Sequence, residues 1–160
     1  RRYAYWSVFA GGAGFTYGHN AVMQYYNQGD KDASFFPRQD WKTGLMAEAA
    51  GQMRHLKKLM ESYSYFDREP AQELVVDNGE KYERVLATKG KNFALFFVYD
   101  GKEFKANTRY LEFIATKGNW FNPRTGTKEK IPAFKNKGVV SFNPPGEKQD
   151  GNDWVLILEK

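Results

Sequence analysis

The 160 residues are enough for one domain, or for a small domain and part of a second. A hydrophobic fraction of 41%, with 13 Phe, 10 Tyr and 4 Trp, supplies a sizeable globular core and a surplus of flat rings able to stack on a ligand. The net charge of +5 comes from scattered Lys and Arg, not the dense stripe of a nucleic-acid binder, and the lack of Cys excludes disulfides and thiolate chemistry.

No apolar run reaches the ~18 residues of a membrane span, so neither nucleic acid nor membrane is an expected partner. No signal peptide is visible in Arg1-Arg2-Tyr3-Ala4-Tyr5-Trp6. That start reads as the inside of a helix, as a fragment or processed product would show.

Residues 1–10 close an aromatic-rich helix, with Tyr5, Val8 and Phe9 at helical spacing and Gly11-Gly12 as the stop. Residues 13–18, where Phe15 and Tyr17 alternate with small residues, predict a short strand with His19 and Asn20 at its C-terminal end. Gly14 and Gly18 suit close backbone approach there. Residues 21–39 lose all period and form a long loop, a length uncommon without a functional reason. Asp40 then reads as an N-cap. Behind it Leu45, Ala49, Met53 (or Gln52), Leu56 and Met60 recur at three and four residues, which predicts one amphipathic helix to about Ser62. Gly44 and Gly51 lower its propensity and suit close packing against a neighbour.

Residues 63–70 form a boundary. Beyond it the pattern changes to short strands at 73–76, 84–88, 93–99, 103–108, 111–115, 139–142 and 154–158. Asp100-Gly101 is the strongest hairpin signal, because a type I′ turn needs positive φ at both central residues. Strands of this kind with no helix between them predict an antiparallel β-sandwich. A lone strand and two helices, by contrast, cannot bury themselves, so the first half should complete a larger α/β structure. A (β/α)8 TIM barrel suits it, with these residues as its seventh helix, eighth strand, eighth loop and eighth helix. The expected fold class is therefore α/β plus all-β: barrel-closing elements over residues 1–64, then a sandwich over 65–160.

In such a barrel Tyr17, His19 and Asn20 stand at the substrate-binding mouth. A neutral His19 imidazole could bond a ligand hydroxyl or orient a carboxylate, and Tyr17 could offer a hydroxyl or a stacking ring. Asn20 fits ligand contact or turn chemistry equally. His55 lies on the basic side of its helix and reads as solvated. Two separate His without acidic neighbours at ligand spacing make no metal site, and no cofactor is called for. Trp6 and Trp41 read as packing residues, and Trp120 and Trp154 as sandwich core.

Arg2 to Gln24, RYAYWSVFAGGAGFTYGHNAVMQ, resembles the closing segment of the apiosidase-like glycoside hydrolases, those of the family 140 type. Arg84-Val85-Leu86-Ala87-Thr88, Trp120-Phe121-Asn122-Pro123-Arg124-Thr125-Gly126, Phe142-Asn143-Pro144-Pro145-Gly146 and Asp153-Trp154-Val155-Leu156 resemble the module that follows that barrel, often labelled collagen-binding. The resemblance implies a bacterial enzyme acting on an oligosaccharide or polysaccharide, secreted or periplasmic in its parent form. Its catalytic carboxylates would come from earlier strands, and the remainder of the barrel would be this chain's partner. Asp30 and Asp32, the acidic residues before Asp40, sit in a Gly/Lys loop and read as solvated, so no catalytic residue is assigned here. The competing expectation is a carbohydrate- or collagen-binding sandwich. Such a module needs exposed coplanar rings, whereas Phe93, Leu95, Phe97 and Tyr99 alternate like a core face.

Overall fold

The computed structural model describes residues 1–115, 117–134 and 138–160. Among them four α-helices precede nine strands. Helix α1 (Arg2–Phe9) buries Ala4, Tyr5, Val8 and Phe9 and ends where Gly11 takes φ +101°. Helix α2 is a single turn, Asn20–Met23. The amphipathic stretch after Asp40 is two helices, not the one predicted: α3 (Trp41–Leu45) and α4 (Glu48–Glu61). Asp40 caps α3 as expected, accepting from the Thr43 amide at 2.8 Å and the Thr43 hydroxyl at 3.0 Å. Ala47 is extended, and this break frees α3 to pack on α2 while α4 buries Gln52, Leu56 and Leu59. Leu45, on the wrong side of the break for the predicted stripe, is exposed.

The strands are β1 (Glu69–Pro70), β2 (Val75–Val76), β3 (Leu86–Gly90), β4 (Phe93–Val98), β5 (Phe104–Asn107), β6 (Lys117–Phe121), β7 (Lys128–Lys130), β8 (Val139–Phe142) and β9 (Trp154–Glu159). They form a six-stranded sheet, β1-β3-β4-β9-β6-β7, and a three-stranded sheet, β2-β5-β8, with every pairing antiparallel. The predicted sandwich is present, with local corrections. Of 73–76, Glu73 and Leu74 belong to a 3-10 turn and only Val75–Val76 is strand. Residues 111–115 form no strand, though Phe113 and Ala115 are buried. Strands β1 and β7 escaped the sequence, because two- and three-residue charged edges such as Lys128-Glu129-Lys130 carry no hydrophobic alternation. The interior strand β6 was missed as well, since only Trp120 and Phe121 of Lys117-Gly118-Asn119-Trp120-Phe121 are apolar.

Asp100-Gly101 makes no hairpin. Strands β4 and β5 lie in different sheets, so the dipeptide carries the chain from one layer to the other. Only Gly101 has positive φ, at +70°, and the Asp100 carboxylate accepts from the Lys102 amide at 3.1 Å. A type I′ hairpin needs both central residues left-handed, which this Asx turn does not provide.

Strand β4 is buried along its whole length because both faces of the six-stranded sheet are covered. Ala94, Phe96 and Val98, with Trp120, Trp154 and Leu156, pack toward Phe104 and Phe142 of the smaller sheet. Phe93, Leu95 and Phe97, with Val155 and Ile157, pack on Tyr5, Val8 and Phe9 of α1 and Leu56 and Leu59 of α4. The result is three layers: helices, large sheet, small sheet.

Candidate functional site

The chain leaves α1 through Gly11-Gly12, bends at Ala13 and runs through residues 14–18 without regular secondary structure or strand pairing. The strand predicted there is therefore absent, for a simple reason: a ladder needs a neighbour, and none of the described residues lies alongside. Nothing lies within 4 Å of a Cβ built at Gly14, so the close approach expected there is absent too. At Gly18 the nearest atom is Sδ of Met23.

Between this segment, α1 and α4 opens a groove of about 670 Å3, closed at its far side by residues 63–68. Val8, Phe15, Met53, Leu56, Met60 and Tyr63 make it mainly apolar, and Tyr17, Arg54, Lys57, Glu61 and Arg68 bring polar groups to it. Arg68 donates to the Val8 carbonyl at 2.7 Å, which also accepts from the Gly11 amide at 3.2 Å, and its burial holds the guanidinium pKa below its usual value. Glu61 is the one carboxylate on this wall among the described residues, and it pairs with Lys57 at 3.7 Å. Glycoside hydrolysis by the common route needs two carboxylates about 5–9.5 Å apart. The groove does not offer that pair.

Tyr17 lines the groove, but His19 and Asn20 do not. His19 is the N-cap residue of α2, without a capping side-chain bond. Its ring lies against α3, where a Cβ at Gly44 would come within 2.9 Å of Nδ1. Gly44 is glycine because histidine occupies that space, whereas Gly51 faces open space. The Gln39 side-chain nitrogen sits 3.2 Å from His19 Nε2. The other ring nitrogen, Nδ1, is buried without a hydrogen-bond partner. Asn20 works on the loop: its amide donates to the carbonyls of Ser34 and Phe35, both at 3.2 Å. Gln24 completes the clamp, donating to the Ser34 carbonyl at 2.9 Å and accepting from the Ser34 amide at 2.7 Å. The backbone so held is left-handed at Phe35 (φ 57°) and Phe36 (φ 47°), which costs roughly 1–2 kcal/mol per residue without glycine. Asp30 closes a turn by accepting from the Asn27 amide at 2.7 Å, and Asp30 and Asp32 are both exposed, in keeping with the solvated reading.

His55 departs from expectation. It is only partly exposed, with its imidazole against Gly126 of the β6–β7 turn. Its pKa is lowered first by burial and then by Arg54 and Lys58.

The sequence reading also passed over a polar knot between helices and sheet. Asp153, fully buried at the head of β9, accepts from Arg1 Nε and Nη2 at 2.8 Å and from Arg124 Nη1 at 3.0 Å. Arg1 reaches on to Gln52 of α4, and Gln52 donates to Glu48. Its bond to Asp153 raises the Arg1 pKa. The available signal was a carboxylate directly before the apolar run Trp154-Val155-Leu156-Ile157-Leu158. Beside this knot the Arg2 guanidinium lies 4.1 Å from the Tyr82 ring centroid and 4.9 Å from that of Tyr99, tying α1 to the sandwich by cation–π contact.

Known proteins match the chain in the same two parts. The family described as "Apiosidase-like, catalytic domain" matches residues 1–67, and that described as "Putative collagen-binding domain of a collagenase" matches residues 70–159. A solved structure titled "Glycoside hydrolase" is 35% identical over 100% of this chain and 36% of its own, with TM-score 0.92. A glycoside hydrolase family 5 structure from Bacteroides vulgatus ATCC 8482 is 34% identical over 99% of this chain and 35% of its own, also with TM-score 0.92. The chain thus spans about a third of the solved proteins it matches. No curated protein matches it.

Helices backed by a two-sheet sandwich, matched end to end in two such enzymes, define a glycoside hydrolase fragment. More narrowly, the chain belongs to the family described as "Putative collagen-binding domain of a collagenase", whose match spans more than half of it, and its residues 1–67 are similar to the apiosidase-like catalytic domain.

Proposed function

We propose that these residues form the C-terminal part of a longer enzyme that hydrolyses glycosidic bonds in complex polysaccharides. Residues 1–64 close its (β/α)8 barrel and residues 65–160 are the accessory sandwich. Acid/base chemistry belongs to carboxylates of the parent enzyme outside this chain, and Tyr17, His19 and Asn20 shape one wall of the sugar subsite. A polymer too large to cross a membrane has to be met outside the cytoplasm, so a secreted or periplasmic parent fits. Among the described residues no helix is long and apolar enough to cross a membrane.

The observation that carries this reading is the uneven distribution of exposed apolar surface. Phe15, Met23, Leu45 and Met46 are exposed in residues 1–64, Met46 at 85%, and the groove beside Phe15 is open. Large unpaired apolar surface of this kind marks contact with more protein. The unpaired 13–18 segment next to it suits a strand whose barrel neighbours lie in the parent enzyme. The sandwich, by contrast, spends one face of its large sheet on α1 and α4, where Phe93, Leu95 and Phe97 are buried. That favours a stabilising module over a carbohydrate- or collagen-binding one.

Reducing-sugar release from plant cell-wall polysaccharide tests the proposal. Turnover is expected from the full-length parent enzyme and not from the 160-residue chain, and turnover by the short chain alone would overturn it. In the full-length enzyme Tyr17→Ala and His19→Ala should each raise KM several-fold, while unchanged kinetics in both would remove them from the subsite.

A further inference from the structure

We infer that Phe35 and Phe36 form a clamped aromatic platform that stacks on a sugar ring of the substrate, with Asn20 and Gln24 as its positioning residues. The inference rests on the reading that the His19 end of the 13–18 segment faces substrate.

Three observations combine. Phe35 and Phe36 are 88% and 91% exposed, adjacent, and in the loop between α2 and α3. Both have left-handed backbones, a conformation that a ring destined only to fill a core has no need of. The strain is upheld by side chains rather than by neighbouring apolar groups: Asn20 takes the Ser34 and Phe35 carbonyls, and Gln24 takes both backbone groups of Ser34. At the loop base, Tyr25 packs edge-on against Trp41 at 5.6 Å and the Trp41 amide donates to the Tyr26 carbonyl at 2.8 Å. The rings are therefore held out from the molecule on a fixed frame.

An aromatic face matches the C–H face of a pyranose or furanose, whose hydroxyls stay at the rim and keep their water. A frame set before binding avoids ordering two rings on a loop when the sugar arrives. The aromatic fixes where the ring lies and leaves the bond-breaking chemistry to other groups. Asn20 thereby acts on the sugar through the loop and not as a direct ligand contact.

The test uses the full-length enzyme and reducing-sugar release from plant cell-wall polysaccharide. Phe35→Ala/Phe36→Ala should raise KM at least fivefold with kcat changed less than twofold and melting temperature unchanged. The paired Phe→Tyr substitutions should restore KM, and Asn20→Ala, with both rings intact, should raise it by a smaller factor. Unaltered KM in the double alanine variant overturns the proposal. So does a lowered melting temperature with normal KM, since the rings would then be packed against the rest of the enzyme. His19→Ala separates the two levels: raised KM there with normal KM in the loop variants rejects the platform alone, and normal KM throughout rejects the orientation of the segment as well.

Discussion

The hydroxyl of Tyr5 lies beneath the large sheet with no hydrogen-bond partner, while its ring stacks on Phe97 at 4.8 Å. Burial, helped by the charge of Asp153, pushes its pKa well above 10, and burial beside Glu159 does the same for Tyr63. Below the unfolded value near 10 both states hold the phenolic proton and the tyrosines add no pH dependence. Above it the unfolded chain loses protons that the folded one keeps, so stability falls as pH rises, by up to about 1.4 kcal/mol per pH unit for the buried Tyr5 and by less for the partly solvated Tyr63. Urea unfolding between pH 8 and 11 should show this loss. Tyr5→Phe should keep the stacking, match or exceed the parent stability at pH 8, and lose less by pH 11. A steeper loss in that variant would contradict the assignment.

Asp153 illustrates the other outcome for a buried polar group. It is fully satisfied by Arg1 and Arg124, and breaking such a pair leaves charge stranded. Neither case is visible in sequence, where Tyr5 is one apolar position on a helix and Asp153 is a polar residue before a strand.

At the scale of elements, the period-two run Phe93-Ala94-Leu95-Phe96-Phe97-Val98 reads correctly as a strand, but one with two dry faces. Phe97 faces Tyr5 and Phe9, with ring centroids 4.8 and 5.9 Å away. Phe97→Ala should cost about 3–5 kcal/mol, because the transfer term and the residual cavity add. Urea unfolding followed by far-UV ellipticity for the helices and by tryptophan fluorescence for the sandwich should move together. If only the helical signal shifted, the two layers would not share a core. The same element shows why the strongest local turn signal misled: Asp100-Gly101 is a turn, as its chemistry requires, but β5 beyond it pairs in the other sheet. The predicted helix from Asp40 to Ser62 has the right cap, but of its predicted stripe only Gln52 and Leu56 are buried, Leu45 is exposed, and it breaks at Met46-Ala47, where α3 has to meet His19 through Gly44.

For the molecule as a whole, the helices and the sandwich complete each other. Expressed alone, residues 70–160 would expose Phe93, Leu95, Phe97, Val155 and Ile157 on one continuous sheet face. Such a fragment should bind 8-anilinonaphthalene-1-sulfonate strongly and self-associate in size-exclusion chromatography, whereas the 160-residue chain should do so less. A monomeric, dye-silent sandwich would favour the free-standing binding module instead. Met46 and Phe66 are exposed and the groove is open, the surface that the proposed parent enzyme would cover.

The sequence by itself determined what is local. It specified the first helix with Tyr5, Val8 and Phe9 inward, the Asp40 cap, the central strands with Trp120 and Trp154 as core, and the two-part family resemblance. These arise from side-chain spacing, capping and turn chemistry, which act over a few residues. Tertiary structure decided what depends on distant partners: that β4 and β5 belong to different sheets, that residues 13–18 have no ladder, that Tyr17 parts from His19 and Asn20, and that α1 and α4 cover the sandwich. Strand pairing and burial are properties of what lies across the gap, and no spacing along the chain records that.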